Sequence, residues 1–231
     1  MERNSIALDG PAGAGKSTLA RRAAKHFRMI YVDTGALYRC IGLHTLRNNV
    51  SSKDEAGIEA LLPGIDLAME YDDEGIQRML LNGEDVTDEI RRPEVSAYAS
   101  DVSAMPPVRQ FLLSMQRTMA EKYDVIMDGR DIGTVVLPDA GLKVFLTAAP
   151  EARAKRRYLE LLERNVDIKF DDVMQDMVIR DRNDTERIVS PLMAAEGSIL
   201  LDTTDLDLEQ SFDALCDIII AAQSSMIGGQ Q

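Results

Sequence analysis

The stretch GPAGAGKST, residues 10–18, constrains this chain more than any other. It fills every fixed position of G-x-x-x-x-G-K-[ST]. An apolar run at residues 5–8 precedes it and closes on Asp9. Leu19, Ala20, Ala23, Ala24 and Phe27 follow it at helical spacing. Strand, glycine-rich loop and helix in that order are the context the pattern requires. Glycines let successive backbone N–H groups curl toward an anion, and the helix presents its positive end to the same point. Gly10, Gly13, Ala14, Gly15, Lys16, Ser17 and Thr18 are therefore expected to cradle the phosphates of a nucleotide, which by itself leaves switches, motors and kinases open. Lys16 would reach the β- and γ-phosphates, and the Ser17 hydroxyl would meet Mg²⁺. The alternative is a glycine-rich connector that binds nothing.

The rest of the chain supplies the sheet such a loop needs. Strands are predicted at residues 30–32, 124–128, 143–147 and 199–201. Helices are predicted at 36–46 and 108–120, from Pro150 through Ala154, Tyr158, Leu161 and Leu162, around Phe170, Val173, Met174, Met177 and Val178, and around Phe212, Leu215, Cys216, Ile219 and Ile220. Asp207 and Gln210 fit a capping box for the last of these. Alternating strands and helices imply a parallel sheet covered on both faces. The middle differs. Ile65, Leu67, Met69 and Tyr71 alternate with polar or small residues, DDEG (72–75) turns the chain, residues 76–81 form a second strand, and Asn82-Gly83 marks a hairpin. Residues 65–86 thus read as a small antiparallel sheet inserted in an α/β chain. The tail from Ser224 is expected to fray.

With 231 residues, 45% hydrophobic, the chain can build a sizeable core. A net charge of -13 argues against partners such as nucleic acid or an anionic membrane. Cys40 and Cys216 have no paired spacing, so a reduced, soluble, cytoplasmic protein is expected. The chain has no Asn-Lys-x-Asp stretch of the kind that reads guanine, and it is short for a motor or helicase core.

Charged motifs must discriminate further. In VDTGALYR, Thr34 and Gly35 open a helix and Arg39 lies one turn in, suited to a phosphate. In IRDRNDTER, Arg180, Asp184 and Arg187 fall at i, i+4 and i+7 of a continuing helix. A surface salt-bridge ladder would give the same spacing. Arg153, Arg157 and Arg164 share a helix face, with Arg156 beside them. MDGRDIG, residues 127–133, sets Arg130 and Asp131 side by side at a strand end, where they could simply pair with each other. Asp128 could orient a metal-bound water or cap a turn.

Taken together, IALDGPAGAGKST, VDTGALYR, DGRDIGTVVLPDAGLKVFLTA and RDRNDTERIVSPL resemble the bacterial cytidylate kinase family, in its order and at its separations, from near the N-terminus to about Asp202. The resemblance implies a P-loop NTPase parallel sheet flanked by helices, with the inserted sheet in the monophosphate-binding region and a helical lid. It implies a core at 1–62 and 99–231, a lid around 153–169 and an inserted subdomain at 63–98. It also implies ATP-dependent phosphorylation of CMP and dCMP in pyrimidine metabolism, with Mg²⁺, by a cytoplasmic monomer. By the same resemblance Thr34, Arg39, Ser100, Arg109, Arg130, Asp131, Arg180, Asp184 and Arg187 surround the acceptor. Lys16, Arg130, Arg157 and Arg180 serve catalysis, and Arg153, Arg156 and Arg157 belong to the lid. A carboxylate at Asp131 would accept from the exocyclic amine of cytosine and repel the oxygen of uracil. A UMP, dTMP or shikimate kinase, or an ATP-gated regulator without catalysis, stays open from the residues alone.

Overall fold

Strand β1 (Ser5–Asp9) lies at the centre of a five-stranded parallel sheet, in the order β2 (Ile30–Asp33), β6 (Val125–Gly129), β1, β7 (Leu142–Thr147), β8 (Ile199–Asp202). The computed structural model describes residues 4–72, 75–163 and 165–228. Asp73 and Glu74 of the predicted turn, and Arg164, lie outside them. The inner strands β1 and β6 are buried on both faces, the edge strand β8 is largely exposed, and the two-residue period sorts the side chains. Ile6, Leu8, Ile126 and Val144 face α1 (Lys16–Phe27) and α8 (Leu208–Gly228), while Ala7, Val125, Met127 and Val32 face α5 (Pro106–Lys122). Asp207 and Gln210 form the predicted reciprocal cap at the start of α8, at 2.8 and 3.0 Å. That helix runs to Gly228, into the tail expected to fray.

The inserted sheet is antiparallel, in the order β3 (Leu67–Tyr71), β4 (Gln77–Leu81), β5 (Glu84–Asp85). Asn82 and Gly83 take φ of 52° and 82°, as the predicted hairpin needs. Ile65 stays outside β3, because Pro63 and Gly64 close a short 3₁₀ turn just before it. Two helices escaped the sequence reading, α3 (Glu55–Leu61) and α4 (Pro93–Val102). They cover the insert, together with α2 (Thr34–Arg47), through a shared core of Leu37, Ile41, Ile58, Met79, Leu81, Val95 and Leu112. The insert is tied to the main sheet by polar contacts as well. Gln77 Oε1 accepts from the Asp33 backbone N–H at 2.9 Å, and the Tyr71 hydroxyl donates to the Tyr31 carbonyl at 3.0 Å.

Helices α6 (Pro150–Glu163) and α7 (Phe170–Glu186) pack on each other through Ala154, Val173 and Met177. Leu162, Phe170 and Val178, assigned by spacing to their apolar stripes, are exposed instead. The pair is too small a unit to bury two full stripes. On α8, Ile220 is likewise half exposed, while Ile219 is buried.

At the mouth of the glycine loop the backbone has no room for a side chain. Gly10 holds φ of 150°, and a Cβ there would stand 1.9 Å from the Leu146 carbonyl oxygen. Gly10→Ala is expected to cost about 3 kcal/mol or more of stability, read from urea denaturation. A loss of less than about 1 kcal/mol would mean that the loop and β7 separate readily.

Candidate active site

The C-terminal edge of the parallel sheet gathers the charged residues. Asp9, Asp33, Asp128 and Gly129 are the last residues of β1, β2 and β6. This is the edge where open α/β sheets place ligands. The glycine loop leaves β1 there and returns through Gly15, at φ 92°, into α1. No acid stands in the first turn of α1, so its positive end is not neutralised. Lys16 opens the helix, is 5% exposed, and donates from Nζ to the Pro11 carbonyl at 2.7 Å. Burial, with the Arg130 charge beside it, pushes its ammonium well below the usual lysine range.

Ser17 Oγ donates to Asp128 Oδ2 at 2.8 Å, and the Tyr31 hydroxyl donates to Asp128 Oδ1 at 2.9 Å. Burial and the nearby Asp33 charge raise the Asp128 carboxyl to about 6, against the pull of Lys16, Ser17 and Tyr31. Thr34 Oγ1 donates to the Asp128 carbonyl at 2.7 Å and is itself buried. Asp33 caps α2 by accepting from the Ala36 N–H at 3.0 Å. Its other oxygen accepts from Arg39 at 3.4 Å.

A cluster of cations faces this edge. Arg130 Nε donates to Asp184 Oδ2 at 2.8 Å. Burial works to raise the Asp184 carboxyl, but Arg130, Arg180 and Arg187 hold it below its ordinary value. Burial, then the charge of Arg130, lowers Arg180 to about 10, with Arg39 and Arg157 adding to the repulsion. Positive groups crowd together here in a protein of net charge -13. They repel one another until a polyanion arrives, so the cluster suits phosphate chemistry.

Next to it lies a more deeply buried group. Asp131, 4% exposed, accepts on Oδ2 from Arg109 Nη2, and its Oδ1 stands 3.7 Å from Arg187 Nη2. Arg109 also donates to the Ser103 carbonyl at 2.9 Å and lies over the Tyr38 ring. Arg187 donates to the Ser190 carbonyl at 2.6 Å and to Ser103 Oγ at 3.4 Å. Ser100 sits one turn earlier on α4, its carbonyl accepting from Ser103 Oγ at 2.9 Å.

Two sequence expectations change. Arg130 and Asp131 do not pair with each other. The turn sends Arg130 to Asp184 and Asp131 to Arg109, because a π-helical turn at Ile132–Val136 begins at once after them. Arg187 does not continue the helix of Arg180 and Asp184. The helix ends at Glu186, and Arg187 is extended, which carries it across to Asp131.

Two of the α6 arginines, Arg153 and Arg156, are anchored on the core. Arg153 is buried and donates to the Ala148 carbonyl at 2.8 Å, the Ala12 carbonyl of the glycine loop at 2.9 Å, and Asp181 at 2.6 Å. Arg156 donates to Thr203 Oγ1 at 3.1 Å and the Leu206 carbonyl at 3.3 Å. Arg157 pairs with Glu160 at 2.8 Å.

Several supporting residues escaped the sequence reading, namely Asp9, Tyr31, Gln77, Ser103 and Asp181. Asp9 carried the clearest signal, an acid between an apolar strand and the glycine loop. Its oxygens accept from the Ile132 and Gly133 N–H groups at 2.8 and 2.7 Å. The others act through tertiary contacts that no local pattern marks.

A glycine-loop parallel sheet, with a lysine at the helix start and an arginine cluster across the same edge, defines a P-loop phosphotransferase. By shape alone the chain is similar to an uncharacterized protein from Eubacterium ventriosum, with a TM-score of 0.51 at 13% identity over 93% of this chain and 97% of that one. In sequence the relation is much closer. Residues 6–222 match the family model described as cytidylate kinase. The chain is 47% identical over 218 residues to a cytidylate kinase of Caldicellulosiruptor bescii, covering 94% of this chain and 96% of that one. It is 49% identical over 214 residues to one of Carboxydothermus hydrogenoformans, covering 93% and 96%. The protein belongs to the cytidylate kinase family. No helix among the described residues is long and apolar enough to cross a membrane.

Proposed function

We propose that the protein transfers the γ-phosphoryl group of ATP to CMP and dCMP, forming CDP and dCDP by direct in-line displacement. The observation that carries the reading is the buried Arg109–Asp131–Arg187 group beside the Arg130–Asp184–Arg180 cluster, both at the edge that bears the glycine loop. One group has the polarity to read a base, the other the charge to hold a phosphate.

The acceptor is a phosphate monoester whose second pKa is about 6, so its oxygen is already an anionic nucleophile at neutral pH. No side chain need remove a proton. The task left to the protein is to bring two polyanions into line and hold charge through a loose transition state. Gly10, Gly13, Ala14, Gly15 and Thr18 supply the loop and helix start that hold the ATP phosphates, and Lys16 follows the charge of the transferred group. Thr34, Arg39 and Arg130 hold the acceptor phosphate. Arg180 and Asp184 hold sugar and phosphate, and Ser100, Arg109, Asp131 and Arg187 surround the base. Arg157, paired with Glu160 on its own helix, is the lid arginine proposed to turn inward, while Arg153 and Arg156 brace the lid on the core. In this reading residues 63–98 enlarge the acceptor side, and the region around 153–169 closes over the phosphates and excludes water.

The donor set beside the loop fits Mg²⁺ brought in with ATP, because Ser17 Oγ and the Asp128 carboxylate are hard oxygens 2.8 Å apart at a fixed strand end. Ser17 would ligate the ion and Asp128 would hold a bound water, and the ion would neutralise phosphate charge.

Assay of the purified protein with ATP against CMP, dCMP, UMP and AMP tests the proposal. Phosphorylation of CMP and dCMP with kcat/KM about a hundredfold above that for UMP is expected. Preference for another acceptor, or ATP binding without any transfer, would overturn it.

A further inference from the structure

We infer that Asp9 is a positioning residue for the acceptor site: by gripping the two backbone N–H groups that follow Asp131, it fixes the base-reading turn relative to the phosphate-binding loop. The inference rests on the reading of Asp131 as the group that reads the base.

Asp9 ends β1, and Gly10 begins the glycine loop at the next residue. The Asp9 side chain is turned away from solvent. It is 3% exposed, its Oδ1 accepts from Ile132 N at 2.8 Å and its Oδ2 from Gly133 N at 2.7 Å. These two N–H groups open the π-helical turn and have no earlier helical carbonyl to bond. A carboxylate satisfies both at once, while a neutral amide offers one acceptor and turns its NH₂ toward the second donor. The fit is close on the other side too. A Cβ on Gly133 would lie 3.4 Å from Asp9 Oδ2, 3.3 Å from the Lys143 stem and 3.1 Å from Ala195 Cβ.

The tie is costly to keep. Burial raises the Asp9 carboxyl to about 6, and the neighbouring Asp131 charge adds to this, while the two N–H groups and Lys16 pull the other way. An apolar residue would avoid that cost but leave both buried N–H groups unpaired. What the carboxylate secures is a direct link, through one side chain, between the loop proposed to hold ATP and the turn that carries Arg130 and Asp131. Both Asp9 oxygens are engaged by the turn, so its effect passes through those two residues.

The test uses the purified full-length protein. Wild type is assayed first with ATP and CMP, and a lack of CDP formation there would sink the functional reading rather than the role of Asp9. With that activity in hand, Asp9→Asn is expected to raise KM for CMP about tenfold, leave KM for ATP within about twofold, and reduce the preference for CMP over UMP. Gly133→Ala presses the same turn against Ala195 with Asp9 in place, and it should raise KM for CMP selectively as well. A merely structural role would lower the active fraction, so kcat would fall while both KM values held. That pattern overturns the inference, as does a KM for CMP within about twofold of wild type in either folded variant.

Discussion

Replacing Lys16 by alanine leaves a folded protein whose phosphoryl transfer is slower by about a thousandfold or more. The fold is expected to survive because Lys16 contributes charge rather than packing. Helix α1 is held down by Leu19, Ala20, Ala23 and Ala24, all buried, and alanine is the best helix former for the vacated position. Removing the side chain also removes a desolvated ammonium, whose burial works against its charged form. What is lost is the cation that stands where the glycine loop meets the helix, within 2.7 Å of the Pro11 carbonyl. In the proposed mechanism no proton transfer is available to share the work, so charge stabilisation carries nearly all of the rate. Lys16→Arg should recover little, since a planar guanidinium does not fit the position of a compact point charge. The check is CDP formation under saturating ATP and CMP, alongside circular dichroism and a thermal melt. A folded variant within about tenfold of the wild-type rate would remove Lys16 from the mechanism.

The strand, glycine loop and helix were legible because that unit is local. Its fixed residues follow one another in sequence, and the flanking periodicities give the strand and helix that aim them. The parallel sheet was readable for the same reason, since short apolar runs and helical stripes are local patterns. The helices α3 and α4 were not. Each is short, and each is held by the core it shares with the insert more than by a clear stripe of its own. The charged cluster across the sheet edge shows the limit of spacing arguments. Arg180 and Asp184 were placed correctly on one helix, but Arg187 reaches its partner because the helix stops one residue earlier. Arg130 and Asp131 are neighbours in sequence and part company in space. The turn that follows them is held by Asp9, 122 residues before Asp131 in the numbering, through two backbone N–H groups. The α6 arginines suggested one shared face. The partners of Arg153 and Arg156 come from the glycine loop, from α7 and from the loop after β8, while Arg157 pairs within α6, so only the tertiary fold could divide their tasks.

Asp131→Asn is expected to lower kcat/KM for CMP by about a hundredfold while KM for ATP stays within about twofold. Asp131 presents a carboxylate between Arg109 and Arg187, and the site is nearly closed to water. An exocyclic amine at position 4 of the pyrimidine donates to a carboxylate, while a carbonyl oxygen there is repelled by it. In a water-poor site that mismatch is worth about 2–3 kcal/mol, which sets the size of the predicted discrimination. Asparagine keeps the shape and can turn an N–H toward uracil, so the CMP/UMP ratio should collapse toward unity. The substitution has a second cost. It removes the negative charge that partners two buried guanidinium groups, and a loss of about 3 kcal/mol of stability is expected in urea. That loss lowers the fraction of active molecules, but it does so equally for both acceptors. The ratio of kcat/KM values for CMP and UMP cancels it and reports only what the site reads. If the ratio survives in a folded Asp131→Asn protein, the base is being read by some other group, and the buried arginine pair has a purely structural use.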